Sequence, residues 1–381
     1  MSYALQTLWH ERARYSSGVL AVTFSAVLIA LQCGLLLGLF KITSTPIDHM
    51  TGDKTSTIWV GSTAVPSVDL GKPIPESYLT RVAGRPGVQM TEVYIANFAN
   101  FSKPGGKGTE LCFLLASNLN PDSAAAADVL TPDLRAKLHE IDTIVVDDSD
   151  MVRRLSLDDP SGKPKINGKE VKLVGTVKGI RSIAAPWVFC SIPTARRLMG
   201  FLLPQDHVTY LIARCDSPSR AREVVATLKA EYPEDMTAYT AVEFSYDSRE
   251  YWLLRTKAGV AIGYAALLGL MVGAAITYQT LRSATTASAK EFAILLALGI
   301  PRWRIKRMVL AQSIWVALIG VGLAYPICLG LQLLAKQAAA DVDLRWEVLA
   351  GTAVITTLMA VMAGWLALGS VRRIEPMDLL R

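Results

Sequence analysis

Two short stretches of this chain hold residue types that do chemistry elsewhere at similar spacing. Asp147-Asp148-Ser149-Asp150 sets three carboxylates within four residues, the oxygen-rich pattern that suits a hard cation such as calcium. It has neither the glycine nor the distal glutamate of an EF-hand loop. Following a β-branched run, it reads as a solvated strand-to-helix turn. Lys103-Pro-Gly-Gly-Lys-Gly108 is rich in glycine, but it does not complete the pattern of a phosphate-cradling loop. The four histidines, His10, His49, His139 and His207, are scattered and do not form a metal cluster. No serine elbow or Cys/His pair stands out. The chain therefore offers no catalytic constellation and no motif for ATP. A non-catalytic role without a bound cofactor is expected.

The elements that carry these residues follow from where charge is missing. Hydrophobic residues make up 51% of the 381 positions and charged residues 19%, against about 25% charged in soluble proteins. This balance excludes a soluble enzyme, an intrinsically disordered chain and a small disulfide-built module. Residues 18–40, 258–281, 308–334 and 348–371 contain no charge and are 23, 24, 27 and 24 residues long. At 1.5 Å per residue even the shortest reaches about 34 Å, enough for a hydrocarbon core of about 30 Å. Four transmembrane helices are predicted. Arg12 and Arg14 precede the first, but its apolar run exceeds that of a signal peptide and no small-x-small cleavage site follows, so it is expected to remain as an anchor.

Orientation follows from the basic residues. Segments 1–17 (amphipathic), 282–307 and 372–381 together hold 11 Lys/Arg against 4 Asp/Glu, whereas segment 41–257 holds 26 of each. The positive-inside rule places the three basic segments in the cytoplasm, and 41–257 and the short loop 335–347 outside. The net charge of +6 thus reports topology and lipid contact, and gives no reason to invoke nucleic acid. The glycine-rich loop then lies where nucleotide is scarce, and the histidines fall on both sides. Within the spans the polar residues are Gln32, Gln279, Gln312 and Gln332, with no ionisable group of the kind proton-driven carriers use. Four spans are few for an enclosed pathway, so self-association is expected. Gly259-xxx-Gly263 and Gly269-xxx-Gly273 permit close helix approach, between copies or within the chain.

The expected fold is an α-helical membrane protein with four transmembrane helices and a large extracytoplasmic α+β domain, in two lobes, between the first and second. Strand-like runs occur at 57–60, 90–98, 110–115, 143–146, 171–177, 187–191 and 208–213, and Asn167-Gly168 reads as a tight hairpin turn. Helices are expected from Pro75 to Arg85, over 151–155 capped by Asp150, and over 218–232 capped by Ser217. Residues 241–254 run toward the second span without a breaker, so one continuous helix is expected there. Of five cysteines, Cys33 and Cys328 lie in spans. Cys112, Cys190 and Cys215 remain, an odd number that allows one disulfide at most and otherwise three buried small hydrophobes.

The loop after the second span carries the most specific pattern. Residues 284–298 favour a helix, closed by Gly299 and broken by Pro301, with Arg302, Arg304, Lys306 and Arg307 following. Apolar Phe292, Leu295 and Leu298 beside Lys290 and Glu291 cannot be buried by so short a helix alone. It must lie on the membrane or dock into a partner's groove.

Lys290-Glu-Phe-Ala-Ile-Leu-Leu-Ala-Leu-Gly-Ile-Pro301 resembles the K-E-I/F-x-x-L-x-A-L-G signature of MacB/FtsX-type ABC permeases, and Arg373-Ile-Glu-Pro-Met-Asp-Leu-Leu-Arg381 resembles their R-x-x-P-x-x-x-L-R ending. Ala293 departs from the Gly or Thr of many members. The order of one span, a large exterior domain and three spans is similar as well. Ile58-Trp-Val60, Val174-Gly-Thr-Val-Lys-Gly-Ile-Arg181, Pro186-Trp-Val-Phe189 and Arg249-Glu-Tyr-Trp-Leu253 resemble the DevC-like members. The resemblance implies a homodimer in the bacterial inner membrane, with a separate ABC ATPase subunit on each cytoplasmic face. Lys290, Glu291, Phe292, Leu295, Leu298, Gly299 and Arg302 would form the coupling region on that ATPase. Pro376, Leu380 and Arg381 belong to the C-terminal motif, and Gly259, Gly263, Gly269 and Gly273 would pack the dimer. DevC-like members work with a periplasmic adaptor and a TolC-like outer-membrane channel, which a distal lobe around 104–203 would meet. An FtsX-like regulator of an exterior partner and a lipoprotein-extracting permease share the same layout and remain open.

Overall fold

The structure is a computed structural model that describes residues 12–106, 108–158, 162–180, 185–287, 294, 298–337 and 344–371. Contacts divide the chain into two units: residues 1–38 with 257–381, and residues 39–256.

The second unit is built on one sheet, with strand order β12-β1-β11-β3-β4-β9-β5-β8. Its strands are β1 (Thr57–Gly61), β3 (Val88–Ser102), β4 (Thr109–Ser117), β5 (Thr143–Asp147), β8 (Lys172–Val177), β9 (Trp187–Ser191), β11 (Tyr210–Cys215) and β12 (Thr237–Thr240). The 15-residue β3 holds the two halves together. Val88 to Tyr94 pair antiparallel with β11, and Ile95 to Ser102 pair antiparallel with β4. β4 with β9 and β5 with β8 run parallel. A hairpin of β6 (Lys165–Ile166) and β7 (Lys169–Glu170) turns at Asn167 and Gly168, both at positive φ as a type I′ turn requires.

The two-residue period of a strand decides which side chains meet. Trp59 of β1, Val145 of β5, and Trp187 and Phe189 of β9 lie in one cluster on one face of the sheet, together with Tyr94, Phe113, Tyr210 and Ile212. The intervening residues fill the opposite face in two separate clusters. Ile58 and Val60 pack with Ala221, Val224 and Leu228 of α6 (Pro218–Glu231). Ile144, Val146, Val188 and Cys190 pack with Leu198 and Met199 of α5 (Ile192–Met199). Both faces are therefore covered, so β1, β5 and β9 are buried at every position.

Four local expectations need correction or refinement, and one strand went unread. The helix expected from Pro75 shortens to α2 (Tyr78–Ala83), because Pro75 belongs to β2 (Ile74–Pro75), which pairs with β10 (His207–Val208). The expected strand 208–213 divides at Thr209, whose N–H donates to Tyr94 O while its hydroxyl accepts from Ala96 N. Asp147, not Asp150, caps α4 (Asp148–Arg153): its carboxylate accepts from Ser149 N at 2.9 Å, whereas Asp150 is buried inside the helix. The short strand β12 carries too little alternation to stand out. The helix expected without a break from 241 is α7 (Ala241–Glu250), then a π-turn (Tyr251–Arg255) and an extended Thr256. The helix ends because Thr256 is extended, at φ −91° and ψ 148°; its hydroxyl donates back to Trp252 O.

In the first unit, Tyr15–Gly38, Gly259–Ser283, Lys306–Ala335 and Trp346–Leu366 are long and apolar enough to cross a membrane. They belong to helices Arg12–Thr43, Lys257–Ala287, Arg302–Gln337 and Trp346–Val371. Small residues let the first of these approach its neighbours. Thr23 Oγ1 donates to Gly320 O at 3.0 Å, and Ser25 Oγ to Gly269 O at 3.3 Å.

Candidate functional site

Leu298 N donates to Ile294 O at 2.9 Å, closing a helical turn. Gly299 follows at φ +84°, a left-handed conformation that ends helices and that residues with a Cβ rarely adopt. Leu298 is 74% exposed. Arg302 opens the next apolar helix, and Arg304 N donates to Pro301 O. Lys290, Glu291, Phe292 and Leu295 lie outside the described residues, as do Pro376, Leu380 and Arg381.

Two of the four candidate dimer glycines pack within the chain. A Cβ on Gly273 would overlap Ser25, and one on Gly269 would overlap Leu28, so both face the chain's own first apolar helix. Close helix approach here is intramolecular because the hydroxyl of Ser25 needs the carbonyl of Gly269 within hydrogen-bond reach. Gly259 is buried. Gly263 meets open space.

A polar site of the second unit joins the segment by which the chain enters it to the helix by which it leaves. The incoming segment forms α1 (Thr45–Asp48), with Ile47 in the large core cluster. The outgoing α7 begins at a capping box. Thr240 Oγ1 accepts from Glu243 N, and the Glu243 carboxylate accepts from Thr240 N, which satisfies two N–H groups that the helix itself cannot. Phe244 anchors α7 in the aromatic cluster, 5.7 Å from the ring of Trp59 and stacked on Tyr239 at 5.1 Å.

With both elements fixed, four donors converge on the Asp48 carboxylate. Oδ2 accepts from Ser44 Oγ at 2.5 Å and from Arg249 Nη2. Oδ1 accepts from Ser245 Oγ at 3.0 Å and from Lys54 Nζ at 3.5 Å. Arg249 Nε also donates to Ser44 Oγ at 2.8 Å. Burial by itself would raise the Asp48 carboxyl, but the hydrogen bonds from Ser44 and Arg249 and the charges of Arg249 and Lys54 outweigh it and hold the group below its ordinary range. One turn further, Ser248 Oγ accepts from Val68 N at 3.2 Å, and Trp252 Nε1 donates to Asp69 Oδ1 at 3.2 Å. The arrangement presents no activated nucleophile. It is a charged clasp between two chain segments.

Arg249 and Trp252 fall within a motif visible in the sequence. Asp48 does not: it is separated from Arg249 by 201 positions, and no local pattern marks the pair. Cys112, Cys190 and Cys215 are free and buried, and burial pushes the Cys112 thiol up to about 12 and the Cys215 thiol up to about 11. Among the described residues, no group of three or more His, Cys, Asp or Glu side chains is placed to hold a metal ion.

Residues 263–376 match the family described as FtsX-like permease C-terminal. No curated protein matches the chain. Among solved structures, the chain is similar to the periplasmic region of MacB from Actinobacillus actinomycetemcomitans, at 10% identity and a TM-score of 0.35, covering 52% of this chain and 94% of that one. It is also similar to the extracellular domain of the noncanonic ABC-type transporter YknZ from Gram-positive bacteria, at 12% identity and a TM-score of 0.34, covering 48% of this chain and 99% of that one.

Proposed function

We propose, from the match of residues 263–376 to the FtsX-like permease C-terminal family, that the chain is the membrane subunit of an ABC exporter of the MacB/DevC type. The observation that carries the reading is the family match itself, which spans nearly all of the last three apolar helices and the loop with Gly299. In this reading ATP is hydrolysed by a separate ATPase subunit seated on the 284–299 segment, with Glu291 at its centre. The α+β unit lies outside the inner membrane and both termini lie in the cytoplasm. Two copies pair, with Gly263 rather than Gly269 or Gly273 free to serve that contact. The chain moves its exterior unit and passes no substrate between its own spans. Export is completed by a periplasmic adaptor and an outer-membrane channel.

Three features support a mechanical role. The second unit is firmly cross-braced through β3, both of its membrane-proximal chain segments are tied together at Asp48, and its cysteines are buried and inert. The test is deletion of residues 284–299 in the full chain. The deleted chain should still insert in the membrane but lose co-purification of the ATPase subunit. An intact complex after the deletion would refute the coupling role. Mass spectrometry of the partners retained by the wild-type chain distinguishes export from regulation. An adaptor supports export, while a cell-wall hydrolase without an adaptor would make the chain a regulator.

A further inference from the structure

The clasp at Asp48 continues into a second set of contacts. Residues 49–52 run beside residues 123–128, outside the main sheet. Asp128 N donates to His49 O at 2.8 Å, Thr51 N to Ala126 O at 2.9 Å and Gly52 N to Ala124 O at 3.2 Å, with an isolated bridge between Met50 and Ala127. Thr51 Oγ1 donates to Ser123 O at 2.7 Å, and His49 Nδ1 lies 3.2 Å from Asp128 Oδ1. A Cβ on Gly52 would press on Ala124 and Thr57, so the two segments are in close contact.

The far end of this ladder is held by a second carboxylate. Glu92 of β3 is 5% exposed, and its Oε2 accepts from Ser123 Oγ at 2.6 Å and from Ala125 N at 3.3 Å. Ser123 Oγ also accepts from Ala126 N at 3.1 Å. Glu92 lies opposite Ile212 of β11, three positions before β3 changes its partner from β11 to β4. A buried carboxylate is a costly anchor, and an amide would accept the same two hydrogen bonds without a charge to desolvate.

We infer that residues 48–52 and 123–128 form a strap from the outgoing helix α7 to the central strand β3, anchored by Asp48 at one end and Glu92 at the other. Asp48 and Glu92 are positioning residues. That the strap carries force during transport rests on the exporter reading above. The coupling between its ends does not.

The experiment uses the full chain in lipid nanodiscs, with hydrogen exchange followed in peptides covering 49–52, 123–128 and 241–250. Asp48→Asn is expected to speed exchange about tenfold at Ala125 and Ala126 as well as at Thr51 and Gly52. Ser123→Ala, which removes one donor to Glu92 and leaves the core intact, is expected to speed exchange at Thr51 and Gly52. The double variant should change the thermal midpoint by less than the sum of the single changes. Exchange effects confined to the mutated end, or midpoint shifts that simply add, would overturn the strap. With either variant, the ATPase subunit should hydrolyse ATP at the wild-type rate but export should fall about tenfold. Coupled exchange with unchanged export would overturn its role in force transfer. Failure of the wild-type chain to retain any ATPase would overturn the exporter reading, while the exchange result would still decide the strap.

Discussion

Asp48 gathers hydroxyl, guanidinium and ammonium donors from both of its neighbouring segments, and its side chain is only 20% exposed. Replacing it with alanine leaves Arg249 without its anion and Ser245 without its acceptor. The expected loss of stability is about 2 kcal/mol, the scale of a charge-assisted hydrogen bond in a half-buried setting. The pH dependence has a definite sign. The folded carboxyl lies below its ordinary range, so its contribution is fully present above the unfolded value of about 3.9 and is lost as pH falls through the folded value. Thermal midpoints of the wild type and Asp48→Asn should therefore differ by a constant amount between pH 5 and 8, and converge only below about pH 4.

At the scale of elements, the glycines of the second apolar helix have different tasks although their spacing looks alike. Gly273 packs against Ser25 and lies near Met359, whereas a Cβ on Gly263 would meet no packing partner among the described residues. Gly273→Leu should force the first and second apolar helices apart and lower the thermal midpoint of the chain in detergent. Gly263→Leu should leave that midpoint unchanged and, if two copies meet there, reduce the dimer fraction in native mass spectrometry. Equal effects of the two substitutions on the midpoint would contradict this division. The end of α7 is likewise not visible in residue types alone. Residues 241–254 show no proline or glycine, yet the α-helix gives way to a π-turn at Tyr251–Arg255 and the chain turns extended at Thr256.

At the scale of the molecule, the charge pattern predicts a single topology that labelling can check. The native cysteines outside the apolar helices are buried, so cysteines placed at exposed positions report with little background. With an impermeant maleimide on intact cells, Asp122→Cys should label from outside, and Thr286→Cys only after the membrane is opened. The reverse pattern would invert the orientation and, with it, the placing of an ATPase on the 284–299 segment.

The features legible in the residues alone are those encoded by neighbours in the chain. Uninterrupted apolar runs marked four helices, short runs of β-branched and aromatic residues marked the strands at 57–60 and 187–191, and Asn167-Gly168 marked its hairpin, because each depends on side chains a few positions apart. What only the tertiary structure decided depends on partners far apart in the chain. Pro75 is drawn into a strand by His207, Gly269 and Gly273 face the first apolar helix, and Asp48 meets Arg249. Glu92 anchors Ser123 in the same way. A carboxylate has no period, and its role is set by the donors that folding brings to it.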